Sequence, residues 1–318
     1  MYLQPGLPYI KGGYLKSNQA QQIENLTYPY NQPLSRRHMF FHKLMSGKNR
    51  RTIYVLFVLT FLSTFAAGVF LHGTYTAGLW YSFGIMSILY SHEMGHYLMC
   101  KKYGMQATLP YFIPIPPPLN PFGTMGAVIR MQGRMTNRKM LFDIGGGGPL
   151  AGLILVIPFL YWGLSMSEVT LQTGANSPGL YLGESLFFKG IAWLVIGDDP
   201  GKYDIFLHPL AYAGWAGLFV TALNLLPIGQ LDGGHVLYSL FGSKTRYIYP
   251  ISIAGFTLLC VHFYTPWAVL VFILIWVGAK HPETLNDYEP LDLKRKVLAW
   301  FLFLIFFFSF TPMPFILV

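Results

Sequence analysis

The 318-residue chain carries 22 Lys and Arg against 13 Asp and Glu, a formal net charge of +9, and only 11% of its residues are charged while 53% are hydrophobic. A soluble domain carries about 25% charged residues. So few ionic groups cannot cover a water-exposed surface. This excludes a soluble globular protein, a disordered chain and a collagen-like fibre, and leaves a polytopic membrane protein.

Residues 1–50 are polar and basic, with Gln, Asn, Tyr, Gly and Pro and no apolar core of the signal-peptide kind, so the first membrane segment is expected to act as its own insertion signal. This stretch reads as a cytoplasmic N-terminal segment ahead of one membrane-embedded domain over 51–318. Apolar runs follow at 53–71, 79–99, 144–164, 206–226, 247–264 and 297–318, to be set against the roughly 20 residues that cross hydrocarbon. A further run, 267–279, is short for a span and follows Thr265-Pro266. The expected fold class is an all-α polytopic membrane protein, a bundle of six or seven transmembrane helices. Between the second and third spans lies a Pro-rich loop on the cytoplasmic side.

Orientation follows the distribution of Lys and Arg. Residues 1–52 hold eight of them and one acid, 101–139 hold six and no acid, and 165–205 hold two against five acids. The N-terminus and the 101–139 loop are therefore expected in the cytoplasm and 165–205 outside. The basic excess suits contact with an anionic lipid leaflet rather than nucleic acid. Cys100 and Cys260 lie in or beside apolar runs and read as reduced packing residues.

The second run contains Ser91-His92-Glu93-Met94-Gly95-His96. Ionisable residues inside a span are expensive and mark function. At i and i+4, His92 and His96 project from one helical face, so both imidazoles can reach one metal, and Glu93 beside them can take a proton from water. A metal site needs a third protein ligand and an open position. Asp232, in Leu226-Pro227-Ile228-Gly229-Gln230-Leu231-Asp232-Gly233-Gly234, follows a span that runs in the same direction and should lie at similar depth. Its other reading is the N-cap of a helix beginning at Gly233, and both roles can coexist. Pro227 and the glycines break the helix, which is tolerated at membrane depth where backbone lines a cavity or is buried in protein. Asn224 could donate to a developing oxyanion or make an interhelical hydrogen bond. His235 is either a support to the site or helix surface.

The His-Glu-x-x-His helix and the Asn224…Pro227…Asp232-Gly233-Gly234 run, in this order, resemble the site-2 protease family of intramembrane zinc metalloproteases. Gly145-Gly146-Gly147-Gly148-Pro149-Leu150-Ala151-Gly152 and Phe122-Gly123-Thr124-Met125-Gly126 are also similar to stretches of that family. The resemblance covers a catalytic core of about 79–240. It implies one Zn2+ held by His92, His96 and Asp232, with Glu93 as general base and proton shuttle and Asn224 stabilising substrate or transition state. It also implies hydrolysis of a peptide bond in or near the transmembrane helix of a membrane-protein substrate, with the active site toward the cytoplasm. The second motif departs mildly, with Gly229-Gln230 where members often have a Pro. The short 165–205 segment suggests a bacterial-type member without a PDZ domain, in an inner or cell membrane.

Two loops carry mechanical expectations. Residues 109–126 hold Pro110, Pro114, Pro116, Pro117, Pro118 and Pro121 and cannot form a regular helix; they should lie at the cytoplasmic boundary. Residues 123–131 alternate weakly, as a short strand does. An edge strand there could pair with an unwound substrate segment; the other reading is a structural hairpin. The four glycines from Gly145 allow close helix approach or shape backbone near the metal. The competing function is a divalent-metal transporter built on the same His and Asp ligands. Such a transporter would want a further donor-bearing helix, whereas His72, His208 and His262 are isolated in the sequence.

Overall fold

A computed structural model describes residues 50–171, 180–277 and 284–317; apart from Arg50, the expectations for the N-terminal segment lie outside them. The described chain is mainly helical. Helix α1 (Arg50–His72) turns back at Gly73, where φ is 75°, into α2 (Tyr75–Lys102), whose N-terminus is capped by the Thr74 hydroxyl accepting from the Ala77 N–H. Helix α3 (Arg138–Ser165) begins at Asn137, whose side chain accepts from the Met140 N–H. Such caps satisfy amides that have no partner inside the helix.

Between α2 and α3 lie β1 (Gln106–Ala107), β2 (Tyr111–Pro114), β3 (Thr124–Val128) and β4 (Met131–Gln132). β2 pairs antiparallel with β3, and β1 with β4. The strand expected in 123–131 is therefore present. Its depth differs from expectation. A Cβ on Gly123 would stand 2.7 Å from the Ser63 carbonyl, halfway along α1, and the Tyr81 hydroxyl donates to the Phe122 carbonyl at 2.9 Å. The Phe122–Gly123 end of the Pro-rich loop packs into the helices instead of lying at their rim, because Phe122 finds an aromatic nest there, while Pro116, Pro118 and Leu119 stay exposed. Its ring meets Tyr212, Trp215, Phe219 and Phe315 with centroids 5.9 to 6.4 Å apart.

Past α3 come β5 (Glu168–Leu171), β6 (Leu180–Leu182), α4 (Leu186–Ile196) and β7 (Tyr203–Phe206), then α5 (Pro209–Asn224) and α6 (Asp232–Phe241). Helices α7 (Thr245–Phe263), α8 (Trp267–Val277) and α9 (Leu293–Ser309) and strand β8 (Phe315–Leu317) complete the chain. β5 pairs with β7, and β8 with β6. α4 lies in residues 165–205, where no helix is expected from the sequence. Its signals are local: Ser185 caps its start and Gly197, at φ 77°, ends it.

α1 and α3, of 23 and 28 residues, are long and apolar enough to cross a membrane. The count of six or seven spans is not supported by the helix lengths. α5 keeps only 16 residues, because the start of its apolar run joins β7 and its end runs into the Pro227 turn. α8 has 11 residues and α9 has 17; α9 stops before Thr311-Pro312, and the tail turns into β8. α2 has 28 residues, but His92, Glu93 and His96 dilute its apolar character. Large apolar side chains stand exposed along α1 (Val55, Val58, Leu62), α7 (Ile251, Leu258, Val261) and α9 (Val297, Leu304, Phe307), a surface that suits hydrocarbon better than water.

The core lies where α2, α3 and α5 meet, with Ile85, Ile88, Val156, Leu160, Trp215 and Leu218 buried in one cluster. Small residues let these helices approach. A Cβ at Gly163 would stand 2.2 Å from the Ala211 nitrogen, a contact only backbone movement could relieve. Gly163→Ala should therefore lower stability by about 1–3 kcal/mol, despite the better helix propensity of Ala. A thermal melt in detergent reads this; an unchanged or higher midpoint would contradict the close packing. Cys100 and Cys260 are free thiols and both are buried, as expected.

Candidate metal centre

α2 presents His92 and His96 one turn apart, with ring centroids 4.9 Å apart, and both are buried. Across from them stands the first residue of α6. Helix α5 ends at Asn224, the chain turns through Pro227 and Gly229 (φ 58°), and α6 starts at Asp232. Asp232 is not the cap: Leu231 holds that position and makes no side-chain cap. Its carboxylate is therefore free to point at the imidazoles. The two glycines that follow are required by space. A Cβ on Gly233 would stand 2.0 Å from the Leu225 carbonyl, and one on Gly234 2.3 Å from the Gly229 carbonyl.

Asp232 Oδ2 lies 3.2 Å from His92 Nε2 and 3.4 Å from His96 Nε2, and the two Nε2 atoms are 3.2 Å apart. His96 Nδ1 is 2.7 Å from the Ile144 carbonyl oxygen. That oxygen can only accept, so Nδ1 carries the proton, and in the neutral form of the ring the lone pair of Nε2 faces the cluster. A lone pair facing a carboxylate oxygen is unfavourable unless a proton or a metal cation lies between them. The triangle has the right size for one: tetrahedral zinc with bonds of roughly 2.0–2.1 Å has ligand-to-ligand edges of about 3.3–3.4 Å. The donor set therefore fits a single divalent ion with one position left open. Among the described residues, this is the only group of three such donors.

Glu93 is buried next to this cluster, and the backbone of Ile129, just past β3, faces its carboxylate. Asn224 Nδ2 is 3.4 Å from His92 Nε2. The structure thus brings together all five residues singled out in the sequence: His92, Glu93, His96, Asn224 and Asp232. His235, three residues past Asp232 on α6, has its Cβ against Gly145 and is not one of the three grouped donors. The glycine run both packs and shapes. A Cβ at Gly148 would lie 2.1 Å from His96 Nε2, and Gly147 carries a carbonyl so close to Gly95 that a Cβ there would stand 2.2 Å away. The Ile144 carbonyl escaped sequence reasoning, since a backbone acceptor has no residue-type signature.

The model of peptidase family M50 matches residues 80–260, from the His-Glu-His helix past Asp232. This chain belongs to peptidase family M50. The M50 match bears out the resemblance to the site-2 proteases. The protein named probable zinc metalloprotease EGY1, chloroplastic, of Arabidopsis thaliana is 30% identical over 231 residues, covering 70% of this chain and 41% of that protein. Its namesake from Oryza sativa subsp. japonica is 30% identical over 225 residues, 68% of this chain and 37% of its own length. Probable zinc metalloprotease EGY2, chloroplastic, of Arabidopsis thaliana is 33% identical over 193 residues, 59% of this chain and 34% of that protein. The chain spans about two-fifths of the length of the first of these relatives. Their names place them in chloroplasts, so the expectation of a bacterial inner membrane finds no support in them. The M50 match, with one donor cluster among the described residues, does not favour the transporter alternative.

Proposed function

We propose that this chain is an intramembrane zinc metalloprotease that hydrolyses a peptide bond in or near a transmembrane segment of a membrane-protein substrate. The observation that carries the reading is the triangle of His92 Nε2, His96 Nε2 and Asp232 Oδ2 with edges of 3.2–3.4 Å and Glu93 buried beside it. His92, His96 and Asp232 hold the zinc. When bound, zinc polarises the scissile carbonyl and lowers the pKa of water toward about 7. The Glu93 carboxylate accepts the proton of the attacking water and returns it to the leaving amine. The Asn224 amide, at the same rim of the cluster, donates to the oxygen on which negative charge develops. The membrane-embedded body faces lipid with its exposed apolar helices, and its N-terminus and active site face the cytoplasm, in line with the basic 101–139 segment.

A substrate helix hides its amides in internal hydrogen bonds and must be unwound before cleavage. β3 belongs to a two-stranded sheet and leads directly to Ile129, opposite Glu93; its edge takes up the extended substrate segment by strand pairing.

The reading is tested by reversible metal removal. Treatment of the purified chain with a zinc chelator should abolish cleavage of a reporter containing a transmembrane span, and added Zn2+ should restore it. Cleavage that continues in a chain stripped of all metal would end the proposal.

A further inference from the structure

Arg138, the first residue of α3, is buried, yet no acid among the described residues pairs with it. Its guanidinium instead donates to two backbone carbonyls at the far end of α6. Nε donates to the Ser239 carbonyl at 2.8 Å, and Nη2 donates to the Leu240 carbonyl in a very short contact. The last-turn carbonyls of a helix lack partners within it and carry the negative end of its dipole. Arg138 therefore satisfies carbonyls that would otherwise be stranded, and they in turn offset the cost of burying its charge. The helix held in this way has only ten residues, and its first residue is Asp232. An isolated helix this short is not stable in itself, so its position depends on what it packs against.

The same stretch of α3 reaches the metal centre directly. The Ile144 carbonyl meets His96 Nδ1 at 2.7 Å, and a Cβ on Gly145 or Gly148 would stand 2.6 Å from His235 Cβ or 2.1 Å from His96 Nε2. One end of α3 thus serves as a common frame. It fixes an imidazole by hydrogen bond and contact, and it fixes the helix that carries the carboxylate through Arg138.

We propose that Arg138 is a positioning residue for the third metal donor. By gripping the C-terminal carbonyls of α6 it sets the axial position and rotation of that helix, and so holds the Asp232 carboxylate on the triangle with His92 and His96. Metal–ligand distances tolerate only about ±0.2 Å, so a small slide of α6 opens the site. The proposal rests on the reading of this cluster as a zinc site.

The test is zinc affinity of the purified full chain, measured by competition with a chromophoric chelator. The comparison is wild type, Arg138→Met and Arg138→Lys, each with Asp232 intact and with Asp232→Ala. Met keeps the length of the stem and removes the donors; Lys keeps the charge and loses the planar fork. With Asp232 intact, Arg138→Met should weaken zinc about ten- to hundredfold, with Lys between. With Asp232→Ala, the same change should cost about twofold or less, because the donor that Arg138 positions is gone. The visible absorption of the Co2+-loaded chain should shift in Arg138→Met. Unchanged affinity, or an equal loss in both backgrounds, would overturn the proposal; the second result would mark a general packing role. If Arg138→Met does not yield folded protein, Arg138→Lys decides: an unchanged affinity and cobalt spectrum overturn it. A wild-type chain that binds no zinc would remove the site reading itself, and this proposal with it.

Discussion

Replacing Glu93 by Gln should leave about one zinc per chain and reduce cleavage of a membrane-span reporter by roughly a hundred- to ten-thousandfold, the usual worth of a positioned general base. Gln preserves the volume and much of the hydrogen bonding of Glu but cannot take up a proton at neutral pH. Glu93 is buried on the same helix as the two imidazoles, one residue after His92, while the three donor atoms come from His92, His96 and Asp232. Metal content and turnover should therefore separate in this variant. Both are measured on one preparation, zinc by elemental analysis and turnover by appearance of the cut reporter. Cleavage within about threefold of wild type would remove Glu93 from the chemistry. Loss of zinc together with activity would instead make Glu93 a ligand.

A second large effect is expected from the smallest possible change, Gly148→Ala. Helix propensity alone argues for stabilisation, since Ala is favoured over Gly by about 1 kcal/mol within a helix. Packing argues the other way. The added Cβ would lie 2.1 Å from His96 Nε2, far inside van der Waals contact, and the ring cannot turn away without giving up its hydrogen bond to the Ile144 carbonyl. Steric conflict should win. Either His96 leaves the triangle or α2 and α3 move apart, at about 1–3 kcal/mol for overpacking. Zinc retention in a buffer of fixed free Zn2+ should fall to background and cleavage with it. Gly190→Ala in α4 is the control: nothing lies within 4 Å of its Cβ, so stability should be unchanged or slightly raised and zinc retention should match wild type. A Gly148→Ala chain that holds zinc normally and melts higher than wild type would refute the close approach of α3 to the ring.

Much of the centre is legible in the sequence. The i, i+4 spacing of His92 and His96 puts both rings on one helical face, because that face is a property of a single helix. The helix break at Pro227 and the Gly233-Gly234 pair marked the place where Asp232 enters, and the glycines prove to be needed for contact with the Leu225 and Gly229 carbonyls. The strand after the Pro-rich loop was likewise readable, from the exclusion of helix by proline and from the alternation that follows.

Other features have no local signal. The apolar run at 297–318 gives no hint that its end pairs, as β8, with Leu180–Leu182, because strand pairing is chosen by a partner more than 130 positions away in the sequence. The inward course of the Pro-rich loop depends on an aromatic nest assembled from α5 and the C-terminal tail. Hydropathy counted apolar residues but could not say where helices stop, so the number of long helices was overread. The lone pair of His96 is directed by a carbonyl 48 positions away, and the helix of Asp232 is held by Arg138 from about 100 positions away. Periodicity, helix breaks and residue chemistry act over a few neighbouring positions and can be read from the chain. The polarity, spacing and orientation of the metal donors arise where α2, α3 and α6 pack together, and contacts between distant elements exist only in the folded protein.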